Sequence, residues 1–88
     1  MELGETGRKI EAKLKSAFSP TRLEVIDESH RHAGHAGARP GGETHFRVVL
    51  RAQAFAGKSR VEQHRLVNAT LAEELRTRVH ALSIDAGA

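Results

Sequence analysis

Apolar side chains recur at helical spacing near the start of the chain. Between Thr6 and Phe18 the apolar stripe consists of Ile10, Leu14, Ala17 and Phe18, and charged residues fill most positions between them. This spacing places the apolar side chains on one face of a helix. The proline two residues later removes an amide donor and disfavours helical geometry before it, so the pattern predicts a first helix over 6–18.

A second helical stripe follows a start signal at Ser59. Ser59 and Glu62 have the spacing of a capping box, in which each side chain accepts a hydrogen bond from the other residue's backbone N–H. The apolar positions after it are Val67, Leu71 and Leu75, joined by Leu66. The pattern therefore predicts a single long helix from Ser59 to about Arg76.

Three shorter segments have the composition or alternation of strands. Thr44–Arg51 alternates apolar and polar residues, Leu23–Glu28 is partly β-branched, and Val79–Ile84 is β-prone without a breaker. Between the first two strands lies SHRHAGHAGARPGG, whose glycines and histidines predict a flexible loop over 29–43. The small and polar residues 85–88 predict a tail.

The order helix, strand, strand, long helix, strand predicts an α+β domain in two layers, with helices covering one face of a three-stranded sheet. A helical crossover before the last strand favours a mixed sheet. At 88 residues the chain is the length of one domain, 1–88. Its mean hydropathy of −0.45 is too low for a membrane span.

Charge and cysteine content restrict the chemistry. The formal net charge is +3, which permits an acidic or nucleic-acid partner without requiring one. The chain has no cysteine, so it has no thiolate nucleophile and no cysteine-ligated metal site of its own. Its first ten residues are polar and lack an export signal. This predicts a location in the cytoplasm, in the first place of a bacterium, with an organelle matrix as the alternative.

Histidines are the main candidates for metal ligands. Of the six, His30, His32, His35 and His45 lie in or beside the predicted loop, and His80 lies in the predicted third strand. Neutral imidazole binds iron, zinc and copper. Loop histidines are also compatible with simple solvation, and His80 with a place at the margin of the core.

Two metal sites fit these residue types. Three loop histidines could hold zinc, although a glycine-rich loop is poorly organised for a closed site. An iron-sulfur cluster could take histidine ligands from this chain, but a partner would have to bring the thiolates.

Catalysis and nucleic-acid binding have separate candidates. Asp27 and Ser29 could join a histidine in a catalytic set, but no nucleophile-elbow or oxyanion motif is present, so no catalytic residues are predicted. The cationic residues at the start of the second helix could contact phosphates, or could form a solvated helix face. They are Lys58, Arg60, His64 and Arg65.

Four strings in order along the chain resemble the BolA family. They are LEVIDESHRHAGHAG, GGETHFRVVL, FAGKSRVEQHRLVNATLAEEL and VHALSI, and together they span nearly the whole chain. The resemblance implies a KH-like (class II) fold, which agrees with the α+β order derived from the pattern. It also implies a non-enzymatic protein that is a monomer when isolated.

The resemblance further implies a partner and a cofactor. Family members form heterodimers with monothiol glutaredoxins and share a [2Fe-2S] cluster for which the glutaredoxin and glutathione supply the thiolates; the isolated chain would bind none. By resemblance His80, in the VHAL string, is one ligand. A loop histidine is the other, and His32 matches best, with His35 and His45 as alternates.

Bacterial members of the family are also described as transcription regulators, whose helix after the FxGK string is proposed to contact DNA. This implies DNA contacts from Lys58, Arg60, His64 and Arg65. Relatives often carry Arg-His-Arg where this chain has Gln63-His64-Arg65, so one cation is missing here.

Overall fold

A computed structural model describes residues 3–29 and 43–88 and confirms the predicted order of elements and the α+β class. The elements are α1 Glu5–Phe18, β1 Arg22–Asp27, β2 His45–Arg51, a 3-10 helix Gln53–Phe55, α2 Arg60–Thr70, α3 Ala72–Thr77 and β3 Ala81–Gly87.

The sheet has the order β1-β2-β3 and is mixed, as predicted. β1 runs antiparallel to β2, with Val25 opposite Val48, and β3 runs parallel to β2, with Ile84 opposite Val48. The crossover between the parallel strands contains α2 and α3. Both β1 and β3 are therefore edge strands, and β2 is the central one.

The core lies between the helices and one face of the sheet. Alternation along β2 turns Phe46, Val48 and Leu50 to this face, where each is at most 2% exposed. α1 contributes Ile10 and Leu14 of its predicted stripe. Ala17 and Leu66 were wrongly assigned to the buried stripes, because both are exposed, Leu66 to 37%. The remaining core residues are Ala52, Phe55, Val67, Leu71 and Val79.

The predicted long helix is interrupted. Its capping box at Ser59 and Glu62 is present, but α2 ends at Thr70 and α3 begins after Leu71. The Thr70 hydroxyl donates to the carbonyl of Leu66 at 2.9 Å, a bond that bends helices. Leu71 leaves helical geometry at φ −102° and ψ 18°, while its side chain stays in the core.

The third strand begins later than predicted. His80 precedes β3 and is exposed. The prediction that it lies in the third strand is therefore wrong, and so is the alternative that it lies at the margin of the core. Its N–H donates to the Thr44 carbonyl at 2.7 Å, and strand pairing begins only at Ala81. The predicted tail is also wrong, because Asp85 and Gly87 belong to β3.

Candidate functional site

The base of the histidine-rich loop is held by one carboxylate. Asp27, the last residue of β1, accepts the N–H of Ser29 on Oδ1 at 2.9 Å and the N–H of Glu43 on Oδ2 at 3.0 Å. The two residues that flank 30–42 are thus fixed to the same side chain. The predicted ligands His32 and His35, like His30, lie outside the described residues.

A buried Ser29 hydroxyl joins this loop base to β2. Its Oγ accepts the backbone N–H of Thr44 at 2.8 Å and that of His45 at 3.1 Å. Thr44 itself is fully buried. Asp27 and Ser29 therefore both contribute hydrogen bonds to the base of the loop.

Thr44 also brings two histidines together. Its carbonyl accepts the N–H of His80, and its Oγ1 lies 2.9 Å from Nδ1 of His45. The imidazole rings stack with centroids 6.2 Å apart and an angle of 22° between their planes. His80 is exposed and His45 is half-buried, so a ligand from solvent can reach this pair.

Glu43 connects the loop base to α1. Gly4 precedes this helix and provides no side-chain cap, but Oε2 of Glu43 accepts the N–H of Thr6 at 3.0 Å. A Cβ on Gly4 would lie only 1.5 Å from Oε1 of Glu43, so glycine permits this close approach. Glu43 adopts a left-handed φ of 66°, a costly conformation that the surrounding bonds maintain.

Among the described residues, His45 and His80 bring together two side chains of a type that ligates metals, but they form no complete metal site. Within 3–29 and 43–88, no three histidine, aspartate or glutamate side chains are grouped so as to hold an ion. His45 and His80 can supply two imidazole nitrogens, the histidine half of a ligand set completed by thiolates. The zinc site of three loop histidines concerns residues outside the described part.

The four predicted nucleic-acid residues divide between two surfaces. Arg60 and His64 line a cavity of about 640 Å³ between α2 and the edge of β3. Lys58 and Arg65 line a separate shallow cavity with Glu62. The bond from the Ser59 backbone N–H lowers the pKa of Glu62, so this carboxylate is ionised beside the two cations. A phosphate near Lys58 and Arg65 would meet that negative charge.

Comparison with known proteins decides the family. The model of the family described as BolA-like protein matches residues 14–88. This chain belongs to the BolA family. An uncharacterised protein in the cobS 5' region of Sinorhizobium sp. is 51% identical, over 100% of this chain and 92% of its own length.

Two further BolA relatives bear on fold and function. The DNA-binding transcriptional regulator BolA of Escherichia coli K12 is 50% identical over 86% of this chain and 69% of its own length. The solved BolA domain of SufE1 from Arabidopsis thaliana superimposes with a TM-score of 0.89 at 45% identity, covering 98% of this chain and 94% of that domain. Among the described residues of this BolA chain, no helix is long and apolar enough to cross a membrane.

Sequence reasoning identified the histidines of this BolA chain and missed the residues that position them. Thr44 and Ser29 make the bonds that bring His45 and His80 together. Asp27 followed two residues later by Ser29, next to a glycine-rich run, is a recognisable turn signal. Thr44 carries no such signal, because its role depends on a strand that follows much later in the chain.

Proposed function

We propose that this chain is a non-enzymatic adaptor that binds a monothiol glutaredoxin and supplies histidine ligands to a [2Fe-2S] cluster shared by the two proteins. The observation that carries the proposal is the pairing of exposed His80 with His45 on Thr44, at the base of the histidine-rich loop. The cluster accounts for histidines gathered in a chain without cysteine. We place this activity in the cytoplasm.

His80 suits the role of a constant ligand. Its backbone is fixed by Thr44, and its side chain has no hydrogen bond within the described part of the chain, so the imidazole nitrogens are available to iron. Imidazole is neutral where thiolate is negative, and histidine ligation raises the potential of [2Fe-2S] clusters. When bound, the cluster would supply one-electron chemistry; this chain would hold and orient it.

The second ligand comes from the loop or from its base. His32 follows Ser29 by three residues, so a fully extended chain carries it at most about 11 Å from that anchor. Ser29 and His80 are both hydrogen-bonded to Thr44, so this anchor lies next to His80. His35 lies twice as far along the chain. His45 is the alternate at the base of the loop, where its Nδ1 lies 2.9 Å from Oγ1 of Thr44.

The test combines this chain with a glutaredoxin loaded with [2Fe-2S]. We expect a one-to-one complex by size-exclusion chromatography and a visible circular dichroism spectrum that differs from that of the glutaredoxin alone. His80→Ala should change or abolish the new spectrum, and His32→Ala and His45→Ala identify the second ligand. His64→Ala, a histidine on α2, is the matched control. An unchanged spectrum with His80→Ala would contradict the ligand assignment, and the absence of a complex would contradict the adaptor function.

DNA binding through the start of α2 is the second candidate function. It is favoured by a relative that is named a DNA-binding regulator and by Lys58, Arg60 and Arg65, three cationic side chains on or near one helix terminus. If they contact phosphates, binding to duplex DNA weakens steeply as salt rises, and Lys58→Gln or Arg65→Gln lowers the slope of log K against log salt by about one each. If neither substitution changes the affinity for DNA or its salt dependence, this surface is not the DNA-binding site.

A further inference from the structure

The exposed edge of β3 borders a cationic cavity that neither proposed function requires. Ala81 donates to the Thr44 carbonyl and Gly87 accepts from Ala52, so the odd-numbered residues of β3 direct their backbone groups toward β2. The even-numbered residues Leu82, Ile84 and Ala86 therefore direct N–H and C=O groups away from the sheet. Within the described part of the chain, no further hydrogen bond occupies these groups.

Two arginines border this edge. The cavity of about 640 Å³ is lined by Arg47 and Ser83 from the sheet, by Arg60 and His64 from α2, and by β3 itself. Arg47 and Ser83 are opposite each other in the parallel register, so the arginine reaches the cavity past a small side chain. Arg47 and Arg60 are exposed and form no ion pair with any described residue.

The one carboxylate in the lining is already neutralised. Asp85 forms an ion pair with Arg51 at 3.0 Å. The cavity therefore presents unbalanced positive charge next to a row of unused backbone donors and acceptors. The other edge strand differs, because on β1 Arg22 pairs with Glu24.

We propose that the β3 edge binds an extended acidic segment of a partner protein as a fourth strand of the sheet. Backbone bonds to the even-numbered residues of β3 would provide affinity for an extended chain, and carboxylates of the segment would pair with Arg47 and Arg60. Charge selects this occupant over a second copy of the chain, since pairing two such edges brings the same cations together.

Nucleic acid would match the positive charge of this cavity but not the unused backbone donors and acceptors of β3. Among the described residues that line the cavity there is no phenylalanine, tyrosine or tryptophan, and His64 is the one ring on which a base could stack. A single strand of DNA also lacks amides to continue the sheet. The cavity is distinct from the histidine pair, because Ile84 in its lining lies four residues from His80, about 13 Å along an extended chain.

The test uses a fluorescent seven-residue peptide, Val-Glu-Glu-Val-Glu-Glu-Val, whose adjacent glutamates place carboxylates on both faces of an added strand. Binding is followed by fluorescence anisotropy at low salt. We expect Arg47→Gln and Arg60→Gln each to weaken binding about fivefold. Arg78→Gln, an exposed arginine outside the cavity, is the matched control. In NMR spectra the peptide should slow hydrogen exchange of the Leu82, Ile84 and Ala86 amides.

Two further probes separate strand addition from charge attraction. The same peptide with alternate amides methylated keeps its charge and loses its strand bonds, so we expect at least a tenfold loss of affinity. Equal binding of the methylated peptide would overturn the proposal. Oligothymidylate that binds more tightly than the peptide, with the same dependence on Arg47, would assign the surface to nucleic acid instead. These readouts require no glutaredoxin and no cluster, so they are independent of the adaptor function.

Discussion

A partly buried ion pair between α1 and α3 offers a direct test of how the helices are held together. Nζ of Lys13 lies 2.7 Å from Oε2 of Glu74 and 2.9 Å from Oε1. The Glu74 side chain is only 6% exposed, whereas that of Lys13 is 39% exposed. Lys13→Met keeps most of the aliphatic side chain and removes the charge, which leaves the Glu74 carboxylate buried without its partner.

The size of the effect follows from this burial. Removing one member of a fully buried ion pair costs about 3–5 kcal/mol. Because Lys13 is partly solvated, we expect Lys13→Met to lower the free energy of unfolding by about 2 kcal/mol. The total free energy of unfolding of a domain of this length is roughly 4–13 kcal/mol. With a urea m-value of about 1 kcal/mol/M, the unfolding midpoint should fall by about 2 M.

The assay is urea unfolding followed by far-UV circular dichroism, with two comparison proteins. Lys9→Met breaks an exposed pair with Glu5 on the same helix and should cost less than about 0.5 kcal/mol. The double variant Lys13→Met/Glu74→Leu removes both charges and should recover most of the lost stability. Equal losses in Lys9→Met and Lys13→Met, or no recovery in the double variant, would refute the reasoning.

Three further substitutions test local features, each by urea unfolding. Ser59→Ala removes the capping box and should cost about 1 kcal/mol at neutral pH. The folded state lowers the pKa of Glu62, so the stabilisation by this carboxylate is complete above the ordinary carboxyl range and is lost as pH falls through the lowered pKa. The cost of Ser59→Ala should therefore shrink in acid. A cost that does not change with pH would contradict this. Val48→Ala, at a fully buried position, should cost about 2–3 kcal/mol, whereas Val61→Ala, at a position 58% exposed, should be neutral, and similar values would contradict the core assignment. Ser19→Gly, at a left-handed φ of 46°, should stabilise by up to about 1 kcal/mol, and a loss would show that the serine is not strained.

Most of the fold could be predicted because its elements have local signals. The stripe through Ile10 and Leu14, the alternation along β2 and the capping box at Ser59 are readable within a few residues. The interruption at Leu71 was not readable, because the helical period continues through it. It coincides with the hydrogen bond from the Thr70 hydroxyl to the Leu66 carbonyl, which the period of apolar residues does not indicate.

The site was less predictable because its contacts are distant in sequence. His45 and His80 meet only because parallel pairing sets His45 opposite Ala81. No spacing within either segment indicates that register. Glu74 is buried beside Lys13, which lies 61 positions earlier, so no local pattern predicts its burial. Whether His32 completes the pair stays a prediction.

The order of strands in the sheet has a consequence for folding kinetics. β2 is central, yet residues 28–44 separate it from β1 and residues 52–80 separate it from β3. Every ladder bond therefore closes a long loop, and the entropy of closing these two loops differs by less than about 1 kcal/mol. Neither pairing is strongly favoured to form first. The sheet should therefore assemble around β2 in milliseconds or slower, whereas its helices form in microseconds.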